Sequence, residues 1–317
     1  MLWHTERMRR VLWWLALLTF VPIALVVIAR AFRLEAGPLV FVVALMPWVT
    51  IGCLIPFILA CFARSLPIAL ATALVSALCA WWMLPLYISD PATNTELTVG
   101  TVNATYGEAD AAEIVSMVRS EKIDILAIQE LTPEAVQALK DAGLDQALSS
   151  SYVRPAEGFN GIGVWSRYPM DGAPLDGMTA NAIQAAIELP DDYVIKLFAV
   201  HPAAPGRWEH EAWADDFNRL NFVLSKAIGP TMVLGDFNAT RDNAPMRSID
   251  GLGYVDAPDQ AGAGFIPTFP ENRLPMPLVA IDHSLVRDSD LTANAVRSIS
   301  ITGADHRALV VEYGHSE

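Results

Sequence analysis

Thr231-Met232-Val233-Leu234-Gly235-Asp236-Phe237-Asn238 is the stretch from which the rest of this chain can be read. The apolar run Thr231–Leu234 closes on Gly-Asp-Phe-Asn, the pattern of a buried strand that delivers a carboxylate and an amide to one edge of a sheet. Such edges are where α/β proteins gather reactive groups. Outward from it lie Gln129-Glu130 upstream and Ile281-Asp282-His283 and Asp305-His306 downstream. Histidines and acidic groups at strand ends, with an asparagine to hold an anion, suit metal-assisted hydrolysis of a phosphoester.

Around this stretch the pattern alternates between strands and helices. Strands are expected at Leu97–Asn103, Asp124–Gln129, Gly161–Ser166, Ala182–Leu189, Tyr193–Val200, Val279–Val286 and His306–Tyr313, with helical spacing over Glu108–Glu121 and Trp208–Ala227. The opening is β-α-β, whereas the middle has adjacent strands without intervening helices. That combination predicts an α/β fold in which two sheets are faced by helices, a four-layer α-β-β-α sandwich. Polar residues recur at the strand ends: Asn103, Glu130, His201, Asp236, Asn238, Asp282, Asp305 and His306. Taken singly, each has a structural explanation, such as a cap or a turn. Their joint occurrence in this order favours chemistry.

Composition splits the chain in two. Residues 1–90 carry only Arg7, Arg9, Arg10, Arg30, Arg33 and Arg64 against Glu6, Glu35 and Asp90. Val11–Ala29, Pro38–Ala63 and Leu66–Ser89 are charge-free runs of 19, 26 and 24 residues, close to or above the roughly 20 needed for a transmembrane helix. Three transmembrane helices at about 11–29, 38–63 and 66–89 are therefore expected to precede a catalytic domain at 91–317. The arginines before the first run, together with Arg64, outnumber Arg30 and Arg33. The positive-inside rule then puts the N-terminus in the cytoplasm and the large domain on the far side of a cell membrane. A cleaved signal peptide ending near Ala31 is the alternative, although its apolar core exceeds the roughly 7–15 residues of such signals. Cys53, Cys61 and Cys79 all lie in the apolar part, so the large domain has no cysteine to cross-link.

Residues 91–317 hold 15 basic against 32 acidic side chains, a net charge of −17. Nucleic acid is disfavoured as a partner, because binding it relies on basic side chains that release counterions. A bound divalent cation would offset part of that charge locally. The linker Ser89–Glu96 reaches at most roughly 28 Å, which keeps the domain near the bilayer and favours a membrane lipid as the phosphoester substrate.

Thr101-Val102-Asn103, Ile128-Gln129-Glu130, Gly161-Ile162-Gly163-Val164-Trp165-Ser166-Arg167, Val200-His201-Pro202, Gly235-Asp236-Phe237-Asn238, Ile281-Asp282-His283 and Asp305-His306 together resemble the endonuclease/exonuclease/phosphatase superfamily, most closely its membrane-anchored bacterial branch. The resemblance implies a metal-dependent phosphoric ester hydrolase using Mg²⁺ or Mn²⁺. Glu130, Asn103 and Asp305 match the family's metal-site positions. Asp236 and Asn238 match the pair that positions water and contacts phosphate, and His306 matches the histidine held by an aspartate, here Asp282. His201 matches a second histidine of the DNase and sphingomyelinase branch. Asn160 stands where that branch has a glutamate beside this histidine, so its partnership with His201 is an expectation, as is a phosphate contact from Arg207. His283 should point to the opposite face of its strand from Asp282. A membrane-tethered nuclease and a catalytically silent membrane scaffold remain as alternative functions. Neither the substrate nor the oligomeric state is fixed by the sequence.

Overall fold

A computed structural model describes residues 2–90, 92, 94–273 and 275–315, with the side chains of Leu2, Trp3 and His4 left aside. The chain divides into two compact units. One runs up to Pro85 and includes Asp242–Ala244; the other holds Leu86–Arg241 and the chain from Pro245 onward.

In the first unit three helical stretches, Thr5–Phe32, Met46–Ala63 and Leu66–Tyr87, are long and apolar enough to cross a membrane. The middle stretch is shorter than the charge-free run Pro38–Ala63. That run forms separate helices Leu39–Ala44, Met46–Gly52 and Leu54–Ala63. Its prolines supply the physical reason: Pro47 and Pro56 lack the N–H that would carry one helix through without interruption. Asp242–Ala244 belong to this unit through polar bonds. Arg30 Nε donates to Asp242 Oδ1 at 2.6 Å while its guanidinium lies over Trp82 at 3.8 Å. Glu35 accepts from Asn243 Nδ2 and from the Ala244 amide at 3.0 and 2.7 Å.

The second unit contains twelve strands among its described residues: β1 (Leu97–Asn103), β2 (Ile125–Gln129), β3 (Ser150–Arg154), β4 (Ile162–Ser166), β5 (Met170–Pro174), β6 (Ile183–Glu188), β7 (Val194–Val200), β8 (Thr231–Asp236), β9 (Val255–Asp256), β10 (Asp282–Arg287), β11 (Leu291–Ile299) and β12 (Ala308–His315). They form two six-stranded mixed sheets, ordered β11-β12-β1-β2-β4-β3 and β5-β6-β7-β8-β10-β9. β1 and β2 are parallel across the helix Ala111–Ser120, as are β7 and β8 across the helix Glu211–Lys226.

Alternation along the strands builds the layers. Ile125 and Ala127 of β2 face a core shared with Ile183, Ile187, Leu197, Met232 and Leu234 of the second sheet. Their neighbours Leu126 and Ile128 face outward onto Ile114, Val118 and Leu139 of the flanking helices. Asp110 caps the first helix by accepting from the Ala112 and Glu113 amides, and Thr132 caps the helix Pro133–Ala142. The expected four-layer α-β-β-α sandwich, preceded by three long apolar helices, is thus present.

The start of the presumed linker is not free chain. Ser89 bridges to Ala261, the Asp90 amide donates to the Gln260 carbonyl, and the Gly264 amide donates to the Leu86 carbonyl.

Candidate active site

The site assembles where β1, β2, β7, β8 and β10 end or begin side by side. Parallel pairing sets Asn103 beside Gln129 and Val200 beside Gly235, so Glu130, His201 and Asp236 emerge at one edge of the two sheets. Antiparallel pairing sets Asp282 directly opposite Asp236. Gly235 is required for this closeness, since a Cβ there would run into the Val200 carbonyl oxygen.

Asp236, 1% exposed, is the centre. Its Oδ2 accepts from Asn103 Nδ2 at 2.9 Å and lies 3.5 Å from His201 Nε2 and 3.7 Å from His306 Nε2; its Oδ1 accepts from the Asn238 amide at 2.8 Å. The two imidazoles therefore present Nε2 to one carboxylate, and each is fixed from behind through Nδ1. His306 Nδ1 meets Asp282 Oδ2 at 2.9 Å, and His201 Nδ1 meets the Phe159 carbonyl at 3.3 Å. Hydrogen bonding at Nδ1 places the ring proton there and leaves Nε2 to the chemistry. Burial alone would push the His306 pKa down, but Asp282 and Asp236 beside it raise it to about 10. Burial pushes the Asp282 carboxyl up, and His306 partly opposes this.

Glu130 joins the cluster through two donors. Asn103 Nδ2 donates to Oε1 at 3.1 Å, and the Tyr106 amide donates to Oε2 at 2.8 Å. Asn103 therefore ties Glu130 to Asp236, while its own Oδ1 accepts from the Thr105 amide at 2.9 Å. Asp305 Oδ1 accepts from Thr105 Oγ1 at 2.7 Å. Asn238 Nδ2 donates to the Pro202 carbonyl at 3.1 Å, and the Asn238 carbonyl accepts from Trp213 Nε1 at 3.2 Å. Glu130 and Asn238 both have left-handed backbone, φ 55° and 49°, a conformation costly for residues other than glycine.

Asn103, Glu130, His201, Asp236, Asn238, Asp282, Asp305 and His306 are thus linked into one network. The other two expected residues are not part of it. No hydrogen bond joins Asn160 to His201: its neighbour's carbonyl, Phe159, holds the ring, while the Asn160 carbonyl accepts from the Asn181 amide. Arg207 is exposed and stacks over Trp208, with no contact to the cluster among the described residues. Sequence reading passed over Thr105 and the Tyr106 amide. A threonine after a strand carries no distinctive signal, and a backbone amide carries none at all. The Phe269 ring packs against that of His306, centroids 4.7 Å apart.

Four carboxylates, those of Glu130, Asp236, Asp282 and Asp305, converge on two imidazoles. Excess negative charge carried by hard oxygen donors fits a divalent cation such as Mg²⁺ or Mn²⁺. Donor atoms of Asp236, Asp282 and His306 lie within 4.8 Å of one another. Of these, Asp282 is already committed to His306, and Glu130 and Asp305, the carboxylates expected at the metal site, lie outside this group of three.

Known proteins share the fold and the sequence pattern of this domain. Solved structures share the fold at low identity. D. rerio TDP2 complexed with single-strand DNA product is 16% identical, covering 69% of this chain and 98% of that one, with a TM-score of 0.57. An endonuclease/exonuclease/phosphatase from Beutenbergia cavernae is 19% identical over 70% of this chain and 72% of that one, TM-score 0.54. The mannosyl-6-phosphatase of Bacteroides thetaiotaomicron is 16% identical over 69% and 99%, TM-score 0.52. No curated protein matches the chain in sequence. The sequence pattern of the endonuclease/exonuclease/phosphatase family, however, extends over residues 100–306, from the first strand to His306, and the chain belongs to that family.

Proposed function

We propose that this protein is a membrane-anchored, divalent-metal-dependent phosphoesterase. It acts on the extracytoplasmic side of a bacterial cell membrane and hydrolyses a phosphodiester or lipid-linked phosphate. The observation that carries the reading is the Asp236 carboxylate, shared by two imidazoles and tied through Asn103 to Glu130.

Glu130 and Asp305 would hold Mg²⁺ or Mn²⁺, with Asn103 orienting Glu130. When bound, the ion polarises the phosphoryl group and offsets charge on the departing oxygen. The chain's own groups do the rest. Asp236 aligns a water molecule, and the water oxygen forms its bond to phosphorus as the ester P–O bond breaks. His201 and His306, on either side of Asp236, divide the proton traffic: one takes the water's proton and the other gives a proton to the leaving alkoxide. Asp282 holds His306 in the tautomer that keeps Nε2 toward the reaction. Asn238, fixed by Pro202 and Trp213, offers its amide to the phosphate.

The anchoring helices and the net charge of −17 on residues 91–317 favour a lipid over DNA. A nuclease is the second reading, supported by the fold shared with TDP2 in its DNA-product complex. The test is phosphate or alcohol release by the full-length protein in detergent micelles, from phospholipids, polyprenyl phosphate and plasmid DNA, with Mg²⁺, Mn²⁺ or a chelator. Lipid hydrolysis that disappears with chelator is the expected outcome. Cleavage of DNA alone selects the nuclease, and no turnover on any substrate overturns the enzyme reading in favour of a scaffold.

A further inference from the structure

A buried Asp–His pair lies outside the reactive cluster. His283 follows Asp282 on β10 and turns to the opposite face, where its cross-strand neighbour is Gly235. There His283 Nδ1 meets Asp256 Oδ2 at 2.6 Å and Nε2 meets the Ala239 carbonyl at 2.9 Å. His283 is 2% exposed and Asp256 9%, so neither meets a substrate.

We infer that His283 and Asp256 are a positioning pair that locks the turn Phe237–Ala239, and with it Asp236 and Asn238, into the reactive alignment. The inference rests on the phosphoesterase reading for its effect on rate, but not for its effect on the turn.

Other bonds hold the same turn. The Phe237 amide donates to the Ile281 carbonyl at 2.8 Å, the Asn238 amide donates to Asp236 Oδ1, and the Asn238 carbonyl accepts from Trp213. The Ala239 carbonyl is the next group along, and Ala239 is 3% exposed. Without His283 it would be buried with no partner, which is costly for a carbonyl. Asn238 needs this hold because its backbone is left-handed and relaxes if released. Phe237 packs edge-on against the same ring, centroids 5.4 Å apart, so His283 grips the turn by side chain and by backbone. Both ring nitrogens face acceptors, which requires both to carry protons. Burial alone would lower the His283 pKa, but Asp256 beside it raises it above the ordinary value. Stability alone is a weak reason for such a pair, since apolar side chains of similar volume often serve a core equally well or better.

That contrast gives the experiment. Asp256→Ala/His283→Phe keeps the volume nearly constant and removes both charges; His283→Gln retains a donor. Full-length proteins in detergent micelles are compared by turnover of bis(p-nitrophenyl) phosphate with Mn²⁺ and by hydrogen exchange of residues 234–240, with residues 308–315 of β12 as an internal reference. In the double variant kcat is expected to fall about 10- to 100-fold with KM within about twofold of the parent protein's. Exchange over 234–240 should accelerate about tenfold or more with β12 unchanged, and His283→Gln should recover part of both losses. Unchanged exchange over 234–240 overturns the inference whatever happens to kcat, and accelerated exchange with parental kcat overturns the link to alignment. Should the parent protein fail to turn over this substrate, the phosphoesterase reading suffers, and exchange alone still decides whether the pair holds the turn.

Discussion

The two faces of β10 carry the same chemistry to different ends. On one face Asp282 holds His306 through Nδ1; on the other His283 is held by Asp256 through Nδ1. The rings differ in what their Nε2 meets. That of His306 stands 3.7 Å from Asp236, beyond hydrogen-bond distance, whereas that of His283 is bound to a backbone carbonyl at 2.9 Å. An Asp–His pair is therefore not a catalytic signature in itself. Chemistry requires the second nitrogen to be left for the substrate, and a second nitrogen given to the backbone makes the same pair a clamp.

The largest expected effect separates these faces directly. Asp282→Asn should lower kcat by about 10³-fold or more, because the neutral amide supports the wrong His306 tautomer, and His306→Ala should cost at least as much. Asp256→Asn should cost only about tenfold. Steady-state kinetics with equal losses for Asp282→Asn and Asp256→Asn would break the distinction.

A smaller effect concerns the close approach of β7 to β8 at Val200 and Gly235. Gly235→Ala drives a Cβ into the Val200 carbonyl and should destabilise the protein by about 2–4 kcal/mol, read as a lower thermal midpoint in detergent. A parental midpoint would show that the strands part easily and that glycine is not needed for the close approach.

The smallest effect is in pH dependence. His306 has a folded-state pKa raised to about 10, against about 6.5 in the unfolded chain. Its stabilising contribution in metal-free protein is thus complete below about pH 6.5 and is lost as pH rises toward 10. Denaturant midpoints should decline over that window, and His306→Gln should flatten the decline. The His283 pKa is raised as well, so His283→Phe should flatten part of the same limb. Metal-free protein equally stable at pH 6 and pH 10 would contradict both assignments.

Strands whose side chains alternate between two buried faces were legible from the sequence, β8 above all. Those missed have identifiable reasons. β3 and β5 lie at sheet edges, and β5 reads Met-Asp-Gly-Ala-Pro, a poor strand composition. β11 is long, but a bulge between Ala293 and Ala295 resets its alternation midway. The predicted start of β10 at Val279 was early, because Val279 bridges to Phe269 instead. In the site, side chains at strand ends were legible because they recur there together, from Asn103 and Glu130 through Asp236 to His306, although each alone has a structural explanation. The Phe159 carbonyl, the Tyr106 amide and the Ala239 carbonyl were not, since every residue carries those groups. Asn160 was expected to do by side chain what its neighbour does by backbone.

Glu130 and Asn238 share a feature with a consequence for anyone seeking a sturdier protein. Both hold backbone angles at which glycine is the most comfortable residue. Selection for heat tolerance alone would reward glycine at both positions, because it relieves the local strain. The same two changes would delete the carboxylate proposed to hold the cation and the side-chain amide proposed to contact the phosphate. Robustness and turnover are thus opposed at these two residues, and a variant library ranked by melting temperature would be enriched in silent proteins.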